Sequence, residues 1–283
     1  MLARLDTILT ILDARSLTKV VDIGANPFDK THPPYAQLLQ RGLCHVTGFE
    51  PQGEAMAKLN EHKGAHETYL PVAVGDGRTR TLHVCRASGM TSLLEPDADA
   101  LRLFPMFNQW GEVLERQTIS TVRLDEVPGI EAIDFLKIDV QGAELMVFQG
   151  GRARLAEAVA IQTEVSFVPL YKSQPTYAEI DIELRGHGLI PHTFTNVNRR
   201  LLKPLQSNDP LRHLQQMIEA DVVYVRDFRR MADMSQHQLT QLALVSHYAY
   251  GSFDLAARCI GELEKRGNVE AKCTDRYIGS LSG

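Results

Sequence analysis

The stretch Val20-Val21-Asp22-Ile23-Gly24-Ala25-Asn26 (VVDIGAN) decides how the rest of this chain is read. Two β-branched residues lead into an acid and then a Gly-Ala turn, the pattern of a buried strand that ends at a nucleotide-type ligand. Gly24 can take backbone angles that a side chain would forbid, so the main chain there can approach a ligand closely. Asp22 falls at the strand's carboxyl end, the edge at which open α/β sheets bind their ligands. Taken alone, the pattern fits an ordinary strand-to-helix turn equally well. The residues that follow separate the two readings.

Working outward, His32-Pro33-Pro34-Tyr35 fits a helix start, with the helix running to about Gly42. CHVTGFEP then predicts a second strand that ends in Glu50-Pro51. An acid roughly 20 to 30 residues after the first glycine suits a ribose, because a carboxylate accepts hydrogen bonds from both hydroxyls of a diol. A solvated acid at a turn is the plainer alternative. GEAMAKLNEH predicts a helix, and ETYLPVAVGDG a third strand with Asp76 in the turn just past it. TRTLHVC alternates as a strand does, and SGMTSL follows. The next segment gathers Phe104, Met106, Phe107 and the only tryptophan, Trp110. Such a cluster is more often core or subunit interface than substrate pocket, so a homo-oligomer is among the expected assemblies.

A second dense stretch, DFLKIDVQGAELMVFQGG, runs from Asp134 to Gly151. Phe135 to Val140 reads as a buried central strand with Asp139 at its carboxyl end, Gly142 as a tight turn, and Ala143 to Gln149 as a helix. AVAIQTEV predicts a fifth strand ending at Glu164-Val165. A helix over Tyr177–Arg185, the segment GLIPHTF and the apolar strand Asp221–Arg226 complete the series. Strands alternating with helices predict a layered α/β domain with a largely parallel sheet. From Ser235 the pattern becomes helical, with Leu239, Leu242, Val245 and Tyr248 on one helix and Leu255, Cys259 and Leu263 on another. Ser235 and Ser252 are expected caps, Gly251 and Gly267 expected stops, and the tail beyond is expected to be loose. The expected organisation is an N-terminal helix over 1–18, an α/β domain over 19–230, and a helical hairpin with its tail over 231–283.

Bulk numbers narrow the function classes. The 283 residues are 44% hydrophobic and 23% charged, an ordinary globular composition. A net charge of −5 argues against a dedicated nucleic-acid binder, which normally carries a basic excess. Cys44, Cys85, Cys259 and Cys273 lack any C-x-x-C spacing, which suggests a reducing compartment and no structural zinc. Arg4, Asp6 and Asp13 interrupt the apolar runs near the start, so a signal peptide is not expected, and no run is long enough to span a membrane. Leu2, Leu5, Ile8, Leu9 and Leu12 fall on one helical face and predict an amphipathic helix packed on the domain. A cytoplasmic location is expected.

The set VDIGAN, GFEP, PVAVGD, GMTSL, VRLDEV, DFLKIDVQGAE and TEVSFVPLY resembles the FkbM-type S-adenosylmethionine-dependent methyltransferases, from about Val20 to about Phe194. The resemblance implies a Rossmann-like seven-strand methyltransferase sheet with helices on both faces, whose last strand inserts antiparallel to the others. It implies S-adenosyl-L-methionine as cofactor, with Asp22, Gly24 and Asn26 on the glycine-loop side of its pocket. Glu50, followed by Pro51, would hold the ribose diol, Val74 and Asp76 would lie near the adenine, and Asp139 would face the reacting centre. Two departures stand out. The chain has Pro27-Phe28 where such loops usually carry another glycine, and Gln141-Gly142 where the family often has Glu-Gly. The second makes Gln141 a poor general base.

The resemblance points to O-methylation of a sugar, glycan or related small metabolite. Deprotonating a hydroxyl calls for a base, and Asp139, Glu164 and His32 are the candidates expected near the carboxyl edge. Their plainer readings are a turn cap, a solvated strand end and a loop histidine. Asp139 and Glu164 end adjacent strands, but no His/Asp cluster supports a metal, and none is assigned. Arg199, Arg200 and Lys203 form a basic group that suits an anionic glycan or, more simply, a solvated face. Two rivals remain. A nicotinamide-dependent dehydrogenase is disfavoured because the first loop lacks G-x-G-x-x-G. A degenerate methyltransferase fold kept as a binding or scaffolding subunit stays open.

Overall fold

Alternating apolar strands and amphipathic helices give a seven-stranded sheet in which β1 (Thr18–Ile23) is an interior strand, third in the order. The computed structural model describes residues 2–12, 16–27, 32–209 and 211–281, with side chains from residue 7 onward. Val20, Val21 and Ile23 of β1 are all buried, as a strand covered on both faces requires. The remaining strands are β2 (Cys44–Phe49), β3 (Glu67–Leu70), β4 (Ala73–Gly75), β5 (Thr79–Cys85), β6 (Val113–Arg123), β7 (Phe135–Ile138), β8 (Ala160–Ser166), β9 (Leu189–Arg199) and β10 (Met217–Arg226). The sheet order is β3-β2-β1-β7-β8-β10-β9. β1 pairs in parallel with β2 and β7, so that Asp22 lies beside both Gly48 and Lys137. β10 inserts antiparallel between β8 and β9, as the resemblance implied.

The helices are α1 (Leu2–Ile11), α2 (Ala36–Gln40), α3 (Gly53–His62), α4 (Ala98–Leu101), α5 (Phe107–Trp110), α6 (Glu144–Gln149), α7 (Tyr177–Gly186), α8 (Gln236–Tyr248), α9 (Phe253–Lys265) and α10 (Cys273–Leu281). On one face Ile8 and Leu12 from the N-terminal segment and Leu242, Val245 and Tyr248 of α8 share a core with Val20, Phe135 and Val223 of the sheet. The Leu2 and Leu5 side chains lie outside the described residues. On the other face Val147 and Phe148 of α6 and Ile180 and Leu184 of α7 pack on Leu136, Ile161 and Val222. α8 is tied to β1 by a buried hydrogen bond in which Thr18 Oγ1 donates to Gln241 Oε1 at 2.6 Å. All four cysteines are buried and unpaired.

Three local expectations are corrected. The predicted third strand is broken at Pro71, which has no N–H for a ladder: β3 stays in the main sheet, while β4 joins a second sheet in the order β4-β6-β5. β6 itself was not foreseen, because most of its side chains are exposed and carry no apolar alternation. The tail beyond Gly267 is ordered as α10, which buries Cys273 and Tyr277. Tyr277 is held by a 2.7 Å hydrogen bond to His247 Nδ1.

Candidate active site

The turn after β1 is built around Gly24. It sits at φ +80°, and a Cβ there would come 1.9 Å from the carbonyl oxygen of Asp139, so any side chain would push the β1 and β7 ends apart. The amides of Gly24 and Ala25 both donate to the Phe49 carbonyl, at 3.0 and 3.1 Å, binding the turn to the tip of β2. Asp22 does its work beneath this turn. Its Oδ2 accepts from the Tyr35 hydroxyl at 2.6 Å, and its Oδ1 lies 3.3 Å from the Lys137 ammonium. Lys137 also donates to the Gly24 carbonyl at 3.3 Å. Asp22 is therefore a brace of the loop, absent from the residues that line the cavity above it.

That cavity has a volume of about 590 Å³ and opens along the carboxyl edge of β1, β2 and β7. Gly24, Asn26, Glu50, Pro51, Val74 and Asp139 all line it, together with a wall from residues 88–93 between β5 and α4. Glu50 is 6% exposed, and its Oε1 accepts from the Gln52 amide at 2.7 Å. Burial pushes its carboxyl above the ordinary value, partly offset by that amide and by Lys137. Beyond Glu50 the lining is apolar, with Phe49, Val72, Val74, Leu82 and Ile119, a slot suited to a flat ring.

Asp139 marks the other end. Its Oδ1 accepts from the Gln141 side-chain amide at 2.7 Å, and the same amide reaches both oxygens of Glu164, at 3.3 and 3.4 Å. Oxygens of Asp139, Glu144 and Glu164 lie within 4.8 Å of one another. Glu144 in turn accepts from the amides of Val140 and Gly142, at 2.9 and 3.2 Å. Burial and the neighbouring acids hold Glu164 well above the ordinary carboxyl value. The same two causes push Glu144 up to about 7 and Asp221 up to about 6. Proton-holding carboxyls of this kind concentrate where a reaction needs a base near neutrality.

The other expected site residues lie elsewhere. Asp76 is turned away into a bidentate pair with Arg80 and borders a separate depression; its hydrogen bonds to Arg80 hold its carboxyl down at about 2. Glu164 stands behind Gln141, outside the cavity lining, and His32 is exposed and also outside it. Sequence reasoning missed several participants. Lys137 and Tyr35 hold Asp22; Ser92 donates its hydroxyl to the Gln141 carbonyl at 2.7 Å; Tyr171 donates to the Gln141 side-chain oxygen at 3.3 Å. Ser92, Lys137 and Tyr171 lie within the GMTSL, DFLKIDVQGAE and TEVSFVPLY stretches and Tyr35 ends the HPPY segment, but none of those stretches shows which side chains meet.

The family model described as "Methyltransferase FkbM domain" matches residues 22–190. A 2-O-methyltransferase NoeI of Sinorhizobium fredii is 30% identical over 173 residues, which span 58% of this chain and 70% of that protein. Solved structures give slighter likenesses. A putative methyltransferase from Thermoplasma acidophilum has a TM-score of 0.39 at 10% identity, over 75% of this chain and 69% of that one. The magnesium protoporphyrin IX methyltransferase of Synechocystis, solved with bound S-adenosylmethionine, has a TM-score of 0.38 at 10% identity, over 79% and 76%. At those scores the structural likenesses carry no weight. The family match spans the glycine turn, Glu50 and the Asp139 region together, and by it this chain belongs to the FkbM methyltransferases, which use S-adenosylmethionine.

Proposed function

We propose that this protein transfers a methyl group to a hydroxyl of a sugar, glycan or related small metabolite in the cytoplasm. The observation that carries the reading is the pairing of ends in one cavity: Glu50 at one end, and at the other the Gly24 turn packed against Asp139, with Gln141 beside it and Glu164 behind. The residues fit S-adenosylmethionine. Glu50 would accept from the ribose hydroxyls, Gly24 and Asn26 would border the methionine end, and the apolar slot with Val74 would take the adenine. Bound there, the cofactor supplies an electrophilic methyl on a sulfonium.

The chain's own residues supply alignment and a base. Asp139 lines the cavity and would take the proton from the acceptor hydroxyl as the carbon–oxygen bond forms and the methyl's carbon–sulfur bond breaks, its electron pair staying on the sulfur. Gln141 fixes that carboxylate through its amide, and Glu164 behind it shares the proton load. A positioned base of this kind contributes roughly 10²–10⁴-fold. An amine acceptor would bring its own nucleophilic lone pair and have less need of such a group. The relative NoeI, a 2-O-methyltransferase, favours the same class.

The test is methyl transfer from ¹³C-methyl cofactor to a panel of free sugars and glycans, with the product carbon read by NMR. An oxygen-linked methyl is expected, and Asp139→Asn should slow its formation by roughly 10²–10⁴-fold. A nitrogen- or sulfur-linked methyl would overturn the assignment.

A further inference from the structure

The connection between β9 and β10 carries a surface that lies outside the cavity lining. β10 runs antiparallel to β8 with Glu219 opposite Ser166, so this connection emerges at the carboxyl edge, on the same side as the cavity. Along it Leu202, Leu205, Leu211, Leu214 and Met217 are 38–61% exposed. The stretch 199–217 also holds Arg199, Arg200, Lys203 and Arg212 against a single acid, Asp209, a local +3 on a chain of net −5. Asp209 is occupied at home, its carboxylate accepting from the Leu211 amide at 2.9 Å. The Lys203 amide donates to the Leu103 carbonyl at 2.9 Å, which adds the exposed Leu103 and Met106 to the same surface.

We propose that this leucine-and-cation surface docks on an anionic lipid bilayer and so holds the mouth of the cavity toward acceptors presented there. Separate aliphatic side chains interleaved with Lys and Arg are what an interface of acyl chains and anionic headgroups accommodates. A second copy fits less well, because a two-fold contact would set one +3 surface against another. Nucleic acid fits less well too, since the stretch offers no Phe, Tyr or Trp for bases to stack on. The chain does not cross the bilayer in this proposal: no helix among the described residues is long and apolar enough.

Co-sedimentation of the full chain with vesicles tests it, using phosphatidylcholine alone and phosphatidylcholine mixed with phosphatidylglycerol. Binding to the anionic vesicles, weakened by salt, is expected, with little binding to the neutral ones. Each cation near such a surface is worth about fivefold. Lys203→Glu with Arg212→Glu should therefore cut partitioning by more than about tenfold, and the triple change Leu205→Ser, Leu211→Ser, Leu214→Ser should also release the chain. Calorimetric affinity for the cofactor should be unchanged in both variants, which shows that they fold. Failure of the wild-type chain to bind anionic vesicles would overturn the proposal, as would equal binding by the variants. A wild-type dimer that the leucine changes dissociate, with no vesicle binding, would give the surface to a second copy instead.

Discussion

Gln141 sits at φ 54°, a left-handed conformation that a side chain makes costly, and its amide lies between Asp139 and Glu164. Its strained backbone is held by Ser92 and its side chain by Tyr171, so the residue that looked like a lost acid serves as the clamp of the carboxyl group. Glu144 shows what such crowding costs. Its value in the folded chain is raised from 4.5 to about 7, by burial first and by Asp139 after it. A raised acid contributes stability that is complete below its unfolded value and is lost as pH rises through the folded one. Glu144→Gln keeps an oxygen for the Val140 and Gly142 amides and removes the charge. Thermal melts should show the variant gaining on the wild type near pH 8 and losing that advantage near pH 5, with about 2–4 °C for each kcal/mol recovered. A gain equal at both pH values would contradict a charged origin. Asp22 illustrates the limit of reading single residues: VVDIGAN located it at a strand end, but its partners Tyr35 and Lys137 come from other elements, and only the packed sheet shows that it faces them.

Among the elements, the segment from Leu101 to Trp110 is the candidate cover for the acceptor side of the site. Phe104 and Phe107 are buried, not against the main core but in a small cluster with Leu170, Tyr171 and Ile218. Tyr171 joins that cluster to Gln141, so the segment is linked to the Asp139 end of the site although none of its residues lines the cavity. Phe107 and Trp110 lie 5.2 Å apart between ring centroids, and Trp110 keeps part of its ring exposed. As a cover, the segment should respond to ligands. Trp110 emission should shift when cofactor and acceptor are both bound, and Trp110→Ala should impair acceptor use more than thermal stability. Emission indifferent to ligands, together with a variant that unfolds, would make the segment plain core. Elements were legible where burial imposed a pattern. β1, β2, β7, β8 and β10 announced themselves through apolar runs ending in acids or turns. β6 did not, because a strand exposed along most of its length has no face to protect and so no alternation to display.

At the scale of the molecule, two cores flank one sheet, and the C-terminal helices belong to the first of them. α8 lies against β1, β7 and β10, whereas α10 packs on α9 and α1 at the periphery. Ending the chain after Asn268 should therefore lower the melting temperature while cofactor affinity persists; loss of that affinity in a truncation that stays folded would mean that α10 supports the site. The seven-strand sheet and the insertion of its last strand were legible through the resemblance, since its motifs fall at successive strand ends; the strand order was not. The base was legible only as a set of candidates, because charge coupling among Asp139, Glu144, Glu164, Glu219 and Asp221 arises from strands brought side by side. The central claim is that Glu50 holds the cofactor and Asp139 serves the chemistry from the far end of the same cavity. Calorimetric titration of S-adenosylmethionine into the wild type, Glu50→Ala and Asp139→Asn separates the two roles. Loss of a charge-assisted hydrogen bond costs about 1.5–3 kcal/mol, so Glu50→Ala should bind at least about tenfold more weakly. Asp139→Asn should bind nearly as the wild type does, while its methyl transfer falls by roughly 10²–10⁴. Unchanged affinity in Glu50→Ala, or undiminished transfer in Asp139→Asn, would contradict it.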